Sequence, residues 1–399
     1  MEPPEITAEG LLLRAWRPAD AAAVTAACQD PAISRWTSVP SPYLPRHAAE
    51  FVGEVAPAAW ARGTGLHLAV VDRDSGLLYG SCGFVHLDRA AGDAEIGYWV
   101  APAARGRGVA ERAARALLAW GLDRLGLRRV VWRAEVGNHR SRLVAVRLGF
   151  TLGGVDRAAV CRPGRPRADL WTASLLPGEL TAPGPDRPGA PGTPVARHAA
   201  TFARPQPRLA TAAADGSPIT LRPPCPADRA DWVDTWRDPQ TRRWLAHDAR
   251  APHDLVDDDL REAAAGWARG DGVTMVVADA ADRFAGYLRL GQPSARYPRE
   301  WQCSYAVAPH ARGRGYASAA LAAAADWAFA ALAAERLEWY AFVGNEASRK
   351  VAARAGFVAE GVSRFVDGGV RRDCWRAARL AGDTVDMADT GTGAGRRES

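Results

Sequence analysis

The sequence repeats itself at a nearly constant offset, and this constrains the fold more than any local pattern does. Arg14 returns as Arg222 and Asp30-Pro31 as Asp238-Pro239, each 208 residues on, while Trp60 returns as Trp267 and Arg105 as Arg312, each 207 on. Insertions between the copies are therefore few. Ten of the fifteen tryptophans fall into such pairs (Trp36 with Trp244, Trp60 with Trp267, Trp120 with Trp327, Trp132 with Trp339, Trp171 with Trp375), so the side chains that would fill one core recur in a second. A chain of 399 residues with 48% hydrophobic content has the material for two cores. Each half reads as a first strand (LLLRAW, ITLR), a helix entered through Pro-Ala-Asp, a second helix (47–62, 252–269) and two strands. A strand running into a glycine-rich turn and a long helix comes next, then a strand (RVVWRAEV, LEWYAFV), a short helix and a last pair of strands. This alternation predicts an α/β (α+β) architecture of two tandem domains.

The predicted domains cover 1–176 and 218–383. Residues 177–217 are dense in proline and glycine and read as a linker, and 384–399 lack the apolar content to pack and read as a disordered tail. The net charge of +6 is mild, with no run of lysine or arginine, so no nucleic-acid partner is expected. Six cysteines show no C-x-x-C and no ligand-like spacing to histidine, which predicts no metal and fits a reducing cytoplasm. The N-terminus lacks a basic start and an apolar core, and Ala319 to Ala334, interrupted by Asp326, is too short and weak to span a bilayer. No membrane association is expected.

The turn at the centre of each half carries the chemistry. DAEIGYWVAPAARGRGVA, Asp93 to Ala110, is matched by REWQCSYAVAPHARGRGYA, Arg299 to Ala317. A helix that opens on glycines directs unpaired N–H groups and the positive end of its dipole at whatever sits before it, which makes an anion site. Gly106 and Gly108 permit close backbone approach and Arg105 and Arg107 add charge; Gly313, Gly315, Arg312 and Arg314 repeat the arrangement. A tight strand-to-helix connection with solvated arginines is the plainer alternative.

Arg105-x-x-Gly108-x-Ala110 and Arg312-x-x-Gly315-x-Ala317, each after an apolar strand, resemble the acetyl-CoA motif of the GNAT superfamily of N-acetyltransferases. The resemblance extends over nearly all of both halves, is strongest to the ribosomal-protein N-terminal acetyltransferase branch, and implies that each half is a mixed twisted sheet flanked by helices. It implies that the loop amides from Arg105 through Val109 to Ala110, and from Arg312 through Tyr316 to Ala317, hold the CoA pyrophosphate. It also implies that strand N–H groups at Val100 and Val307 meet the acyl end. Asn138 and Ser141, matched at the same offset by Asn345 and Ser348, fit an Asn-x-x-Ser that faces the CoA arm in this branch. There Ser141 and Ser348 would protonate the departing thiolate; helix capping is the other reading of these residues.

Glu95, in AEIGYW, is placed to take the proton of an attacking amine directly or through water, though a strand carboxylate can equally be held in a salt bridge. Gln302 occupies its position in the second half, where Glu300 shares the strand face and could substitute from one step further away. Tyr98 and Tyr305 read as groove walls. The expected activity is transfer of acetyl from acetyl-CoA to a primary amine, a protein N-terminal α-amine or a small molecule, by direct attack in a ternary complex. The two halves could also pair with each other. The alternative is an acyl-CoA-binding or sensing module in which one half, the C-terminal for preference, is non-catalytic.

Overall fold

The computed structural model describes residues 2–162, 166–244, 250–293, 297–367 and 370–383, and divides into two compact units, Met1–Ala199 and Ala200–Ser399. The tail expected at 384–399 lies outside the described residues.

Unit 1 begins with β1 (Ile6–Ala8) and β2 (Leu11–Arg14), followed by α1 (Ala21–Ala27), α2 (Pro31–Trp36) and α3 (Pro45–Glu50), which continues through one π turn into α4 (Ala56–Ala61). Then come β3 (Leu66–Asp72), β4 (Leu78–Asp88), β5 (Asp93–Val100), α5 (Val109–Arg124), β6 (Arg129–Glu135), α6 (His139–Leu148), β7 (Thr151–Val160) and β8 (Ala168–Leu175). The eight strands form one sheet in the order β1-β2-β3-β4-β5-β6-β8-β7. The central strand β3 is a nearly continuous apolar run because both its faces are covered. Leu66, Leu68 and Val70 of β3 pack with Ala113, Ala114, Leu117 and Leu118 of α5, while Ala69 and Val71 turn to the opposite face and pack with Val24, Ile33, Ala48 and Val52 of the N-terminal helices.

Antiparallel pairing holds throughout except between β5 and β6. These run parallel, and only Asp93–Ile96 pair with Arg129–Trp132. Beyond that point β6 continues along β8 to Glu135 while β5 continues along β4 to Val100. The two central strands therefore splay apart, opening a cleft in the middle of the sheet.

Unit 2 repeats this plan. Its strands are β9 (Leu209–Ala212), β10 (Pro218–Arg222), β11 (Gly272–Ala278), β12 (Phe284–Gly291), β13 (Glu300–Val307), β14 (Arg336–Phe342), β15 (Val358–Asp367) and β16 (Val370–Leu380), in the order β15-β16-β14-β13-β12-β11-β10-β9. A helix, α7 (Pro194–Phe202), precedes β9; α8 (Arg229–Arg237), α9 (Pro239–Trp244) and α10 (Pro252–Arg269) lie between β10 and β11; α11 (Tyr316–Trp327) and α12 (Glu346–Arg354) follow β13 and β14. The parallel pair β13–β14 also stops early, after Cys303 and Trp339.

The expected linker at 177–217 needs correction. Its first part is fastened to unit 1: Thr181 donates its N–H to Leu148 O at 3.2 Å, Arg147 Nε donates to Gly189 O at 2.6 Å, and Arg187 pairs with Glu111 at 2.8 Å. Glu111 is buried, and Arg115 and Arg147 also converge on it at 3.3 and 3.5 Å. Its last part belongs to unit 2, because Phe202 is buried in that unit's core and β9 pairs antiparallel with β10. The second sheet thus starts at Leu209 rather than at 218. Proline and glycine density signals irregular backbone, but such backbone is ordered wherever side chains such as Arg187 and Phe202 anchor it.

Candidate functional site

The glycine-rich turn sits at the open end of the splay. After β5, Pro102–Ala104 make one 3₁₀ turn, and Gly106 and Gly108 then take φ of 79° and 71°, with Gly108 capping α5. Side-chain-bearing residues rarely enter this left-handed region. A Cβ on Gly106 or Gly108 would meet nothing within 4 Å, so the loop opens onto free space. The side chains of Val109 and Tyr316 are buried at 3% and 2% exposure, so at the loop surface these residues offer backbone N–H groups, ahead of helices that leave those groups unpaired. An open glycine cradle at the positive end of a sixteen-residue helix suits a pyrophosphate. Unit 2 has the same conformation at Gly313 and Gly315 (φ 75° and 78°), but there a Cβ on Gly315 would come within 3.3 Å of Ala214 in the β9–β10 turn.

Two of the four loop arginines are not free to meet a phosphate, which corrects the expectation for Arg105 and Arg312. Arg105 donates from Nε to Val100 O at 3.2 Å and from both Nη atoms to Asp30 at 2.8 and 3.2 Å. Asp30 in turn caps α2, accepting from Ala32 N and Ile33 N at 2.9 and 3.2 Å, and the Arg105 guanidinium holds its carboxyl below the usual range. Arg312 donates to Val307 O at 3.3 Å, to Asp238 at 2.5 Å and to Thr241 Oγ1 at 2.7 Å. Both side chains brace the strand end against the second helix. Arg107 and Arg314 remain exposed, over the rings of Tyr79 and Tyr316 at 5.9 and 4.8 Å.

The brace explains the strand end. Ala101 N donates to Tyr79 O on the β4 side, and N–H directions alternate along a strand, so the N–H groups of Val100 and Tyr98 face the splay. Ala308 N donates to Ala285 O in unit 2, which turns Val307 and Tyr305 the same way.

On the α5 side of the sheet, Tyr98 reaches Ser141. Its hydroxyl lies 3.0 Å from Ser141 Oγ and donates to Ser141 O at 3.2 Å, while Trp132 Nε1 donates to Ser141 Oγ at 3.1 Å. Burial pushes the Tyr98 phenol well above its ordinary value, offset in part by its hydrogen bonds to Ser141 and Trp132. Asn138 caps α6, its Oδ1 accepting Ser141 N at 3.3 Å. Unit 2 reproduces the group, with Tyr305 2.9 Å from Ser348 Oγ, Trp339 Nε1 donating to Tyr305 Oη at 3.1 Å and Asn345 Oδ1 accepting Ser348 N at 3.2 Å. Tyr98, expected as a groove wall, is thus the hydrogen-bonding partner of the serine.

Glu95 lies on the opposite face. Ala94 and Ile96 point into the α5 core, and Glu95 alternates with them toward the N-terminal helices, one residue before the splay opens. Its Oε2 accepts from Arg133 at 2.6 Å. The same face bears Glu135, buried and paired with Arg35 and, at 3.4 Å, with Arg162; the sequence reading passed over it. Here unit 2 departs from unit 1. The cross-sheet row His67, Gly83, Gly97 becomes Thr274, Arg289, Ser304. Arg289 pairs with Asp259 of α10 and lies over the rings of Tyr287 and Trp232 at 4.9 and 5.9 Å, whereas a Cβ on Gly83 or Gly97 of unit 1 would meet Leu66 O at 2.2 Å or Val85 Cγ1 at 2.7 Å. Burial raises the Asp259 carboxyl against the pull of Arg289. Glu338, beside Gln302 in the ladder, is engaged by Arg336, Tyr340 Oη and Arg376 at 3.1, 2.8 and 3.6 Å. Among the described residues no group of three or more metal-ligating side chains converges, and no helix is long and apolar enough to cross a membrane.

A splayed central pair of parallel strands, a glycine cradle at a helix N-terminus and a Tyr–Ser pair beside the cleft, all present twice, define an acetyltransferase class of fold. The sequence profile of the acetyltransferase (GNAT) domain matches residues 10–151 and again 219–358, and the chain belongs to that family, with two tandem domains. It is 43% identical over 108 residues to "Putative ribosomal N-acetyltransferase YdaF" of Bacillus subtilis (strain 168), a match spanning 26% of this chain and 58% of that relative. It is 26% identical over 168 residues to "Uncharacterized N-acetyltransferase p20" of Bacillus licheniformis, spanning 42% of this chain and 93% of that protein. Among solved structures, Mycobacterium smegmatis RimJ in complex with CoA-disulfide is similar at 24% identity and a TM-score of 0.40, covering 44% of this chain and 88% of its own.

Proposed function

We propose that the protein is an acetyl-CoA-dependent N-acetyltransferase whose first unit transfers acetyl directly to a primary amine, either a protein N-terminal α-amine or a small molecule. The observation that carries this is the splay itself. It places outward N–H groups of β5, the glycine cradle and the Ser141–Tyr98 pair around one cleft, with Glu95 at its base on the other face.

Acetyl-CoA supplies the thioester. The loop from Gly106 to Ala110 would hold the pyrophosphate through backbone N–H groups, with Arg107 adding charge at the surface. The N–H of Val100 donates to the carbonyl oxygen as charge develops on it. Glu95, or a water it orders, takes the proton of the attacking amine so that the nitrogen lone pair is available. Ser141 protonates the sulfur as the C–S bond breaks and regains a proton through its hydrogen-bonded partner Tyr98, which is reprotonated from water entering the cleft as the CoA thiol departs. Arg105 and Asp30 keep the strand end and loop in place and do no chemistry. Acetyl-CoA turnover by the full chain against a panel of N-terminal peptides and small amines tests the reading; no turnover with any of them refutes it.

A second reading applies to unit 2 and has its own observation. The Arg289–Asp259 pair occupies the acceptor face there, and Gln302 cannot act as a base. Unit 2 then binds acyl-CoA without transferring it. Calorimetry on the full chain should give two CoA sites, of which Gly108→Val weakens the productive one and Gly315→Val the silent one.

A further inference from the structure

Glu95 is tied to Arg133, and a carboxylate so paired is a poor final resting place for a proton. Two imidazoles on the same face of unit 1 play no part in the steps above. His86 stands directly opposite Glu95 in the β4–β5 ladder. A bulge puts it there: Phe84 pairs with Ile96, His86 with Glu95, and Val85 is the extra residue between them. Phe84 and Leu87 consequently both stay in the core, while Val85 and His86 both turn outward; strict alternation would have sent position 86 inward with Phe84. Directly opposed residues bring their Cβ atoms to about 5 Å, so a water or an amine fits between the two polar ends. His67, on β3, points to this face between the core residues Leu66 and Leu68, with its ring edge-on to Phe51 at 5.6 Å. Burial, and next the charge of His86, hold its imidazole below the ordinary value.

The charged groups that face this pair are Glu95 and Asp93 on β5, Asp88 two residues along β4, Arg133 and Arg129 on β6, and the two histidines themselves. Unit 2 has lost the row. Thr274 stands for His67, Gly291 for His86, Gln302 for Glu95 and Tyr340 for Arg133, and the bulge at this point is absent. Meanwhile the Tyr–Ser–Trp group on the other face is kept whole.

We propose that His86 is the proton exit of the unit 1 site: it accepts the proton that Glu95, or the water Glu95 orders, takes from the acceptor amine, and releases it to solvent. The amine N–H bond breaks, an imidazole N–H bond forms, and bulk water removes that proton from the exposed side chain before the next turnover. Glu95 is then the group that touches the acceptor, and His67 is a positioning residue that keeps a neutral ring behind His86. The inference rests on the acetyltransferase reading.

The test is His86→Gln in the full chain, a surface change that leaves the core residues Phe84 and Leu87 untouched. At about pH 7 the rate should fall by roughly 10², the scale of one general acid–base step, with acetyl-CoA affinity unchanged. The loss should shrink as the pH rises, and added imidazole should restore the rate, which a purely structural role for His86 would not allow. A readout free of activity is the NMR titration of His67, whose midpoint should rise once the charge of His86 is gone. Full activity of His86→Gln from about pH 6 to 9, no rescue by imidazole, or an unmoved His67 midpoint each overturns the proposal. If the unaltered protein transfers acetyl to no amine, the acetyltransferase reading has failed and the exit falls with it; activity that is present but indifferent to His86 refutes the exit alone.

Discussion

The two units agree on one face of their sheets and differ on the other. On the face of the long helix both keep the positive-φ glycines and the Tyr–Ser–Trp group, and in both an arginine braces the strand end to the second helix. On the opposite face unit 1 presents His67, His86, Glu95 and Arg133, and unit 2 presents Thr274, Gly291, Gln302 and Tyr340 beside an Arg289–Asp259 pair. Binding a nucleotide thioester relies on backbone geometry, which survives sequence change. Accepting a proton relies on particular side chains, and those are what changed.

The largest effect is expected where the units differ most. Glu95→Gln makes unit 1 resemble unit 2 at this position and should cut acetyl transfer by roughly 10² while leaving acetyl-CoA binding intact. The loss should be smaller at high pH, where more of the acceptor amine is already neutral. Full activity at every pH in rate measurements on the full chain would mean that the difference between units lies in acceptor recognition alone. Next comes Ser141→Ala, which should lower kcat by roughly tenfold or more with little change in the acetyl-CoA dissociation constant, whereas Ser348→Ala should leave kcat alone. Equal losses in the two variants would show that unit 2 turns over.

A smaller effect separates the two cradles. Gly108→Val forces a branched side chain into the left-handed region at a loop that faces open space, and should weaken CoA binding by about tenfold, or about 1.4 kcal/mol. Gly315→Val suffers the same backbone penalty and also drives its Cβ toward Ala214, so it should cost folding stability as well as binding. Thermal melts alongside calorimetry distinguish the two.

How much of this was readable in the chain follows from what each feature depends on. The repeat, the element order, the glycine turn and the exchange of Glu95 for Gln302 are local or self-comparing, and periodicity and offset reveal them. The partner of Arg105 is 75 residues away, so the sequence reading gave its charge to the ligand instead of to Asp30; the recurring Asp30-Pro31 and Asp238-Pro239 were the available signal. The bulge at Val85 adds one residue to an otherwise regular alternation, which leaves the facing of His86 undetermined until β5 is laid beside it. Arg187 anchors a proline-rich stretch to Glu111 through contacts that composition cannot express.

The smallest expected effect concerns the feature in which the units are most alike. Asp30→Asn keeps a side-chain oxygen for capping α2 but removes the charge that Arg105 binds, so it isolates the ion pair from the cap. With both side chains partly exposed, the loss should be about 1 kcal/mol, the upper end for pairs reached by solvent. Its pH dependence has a definite sign. Arg105 holds the Asp30 carboxyl below its ordinary value, so its contribution is fully present above the unfolded-state value near 4 and disappears as the pH falls through the lowered folded-state value. Urea unfolding at about pH 7 should therefore separate Asp30→Asn from the unaltered protein, and the gap should close in acid. Asp238→Asn should behave in the same way in unit 2, where Arg312 is the leading cause of the lowering. If only one of the two variants shows the acid-sensitive loss, the braces are not equivalent, and the cradle in front of the unaffected one is held by other contacts.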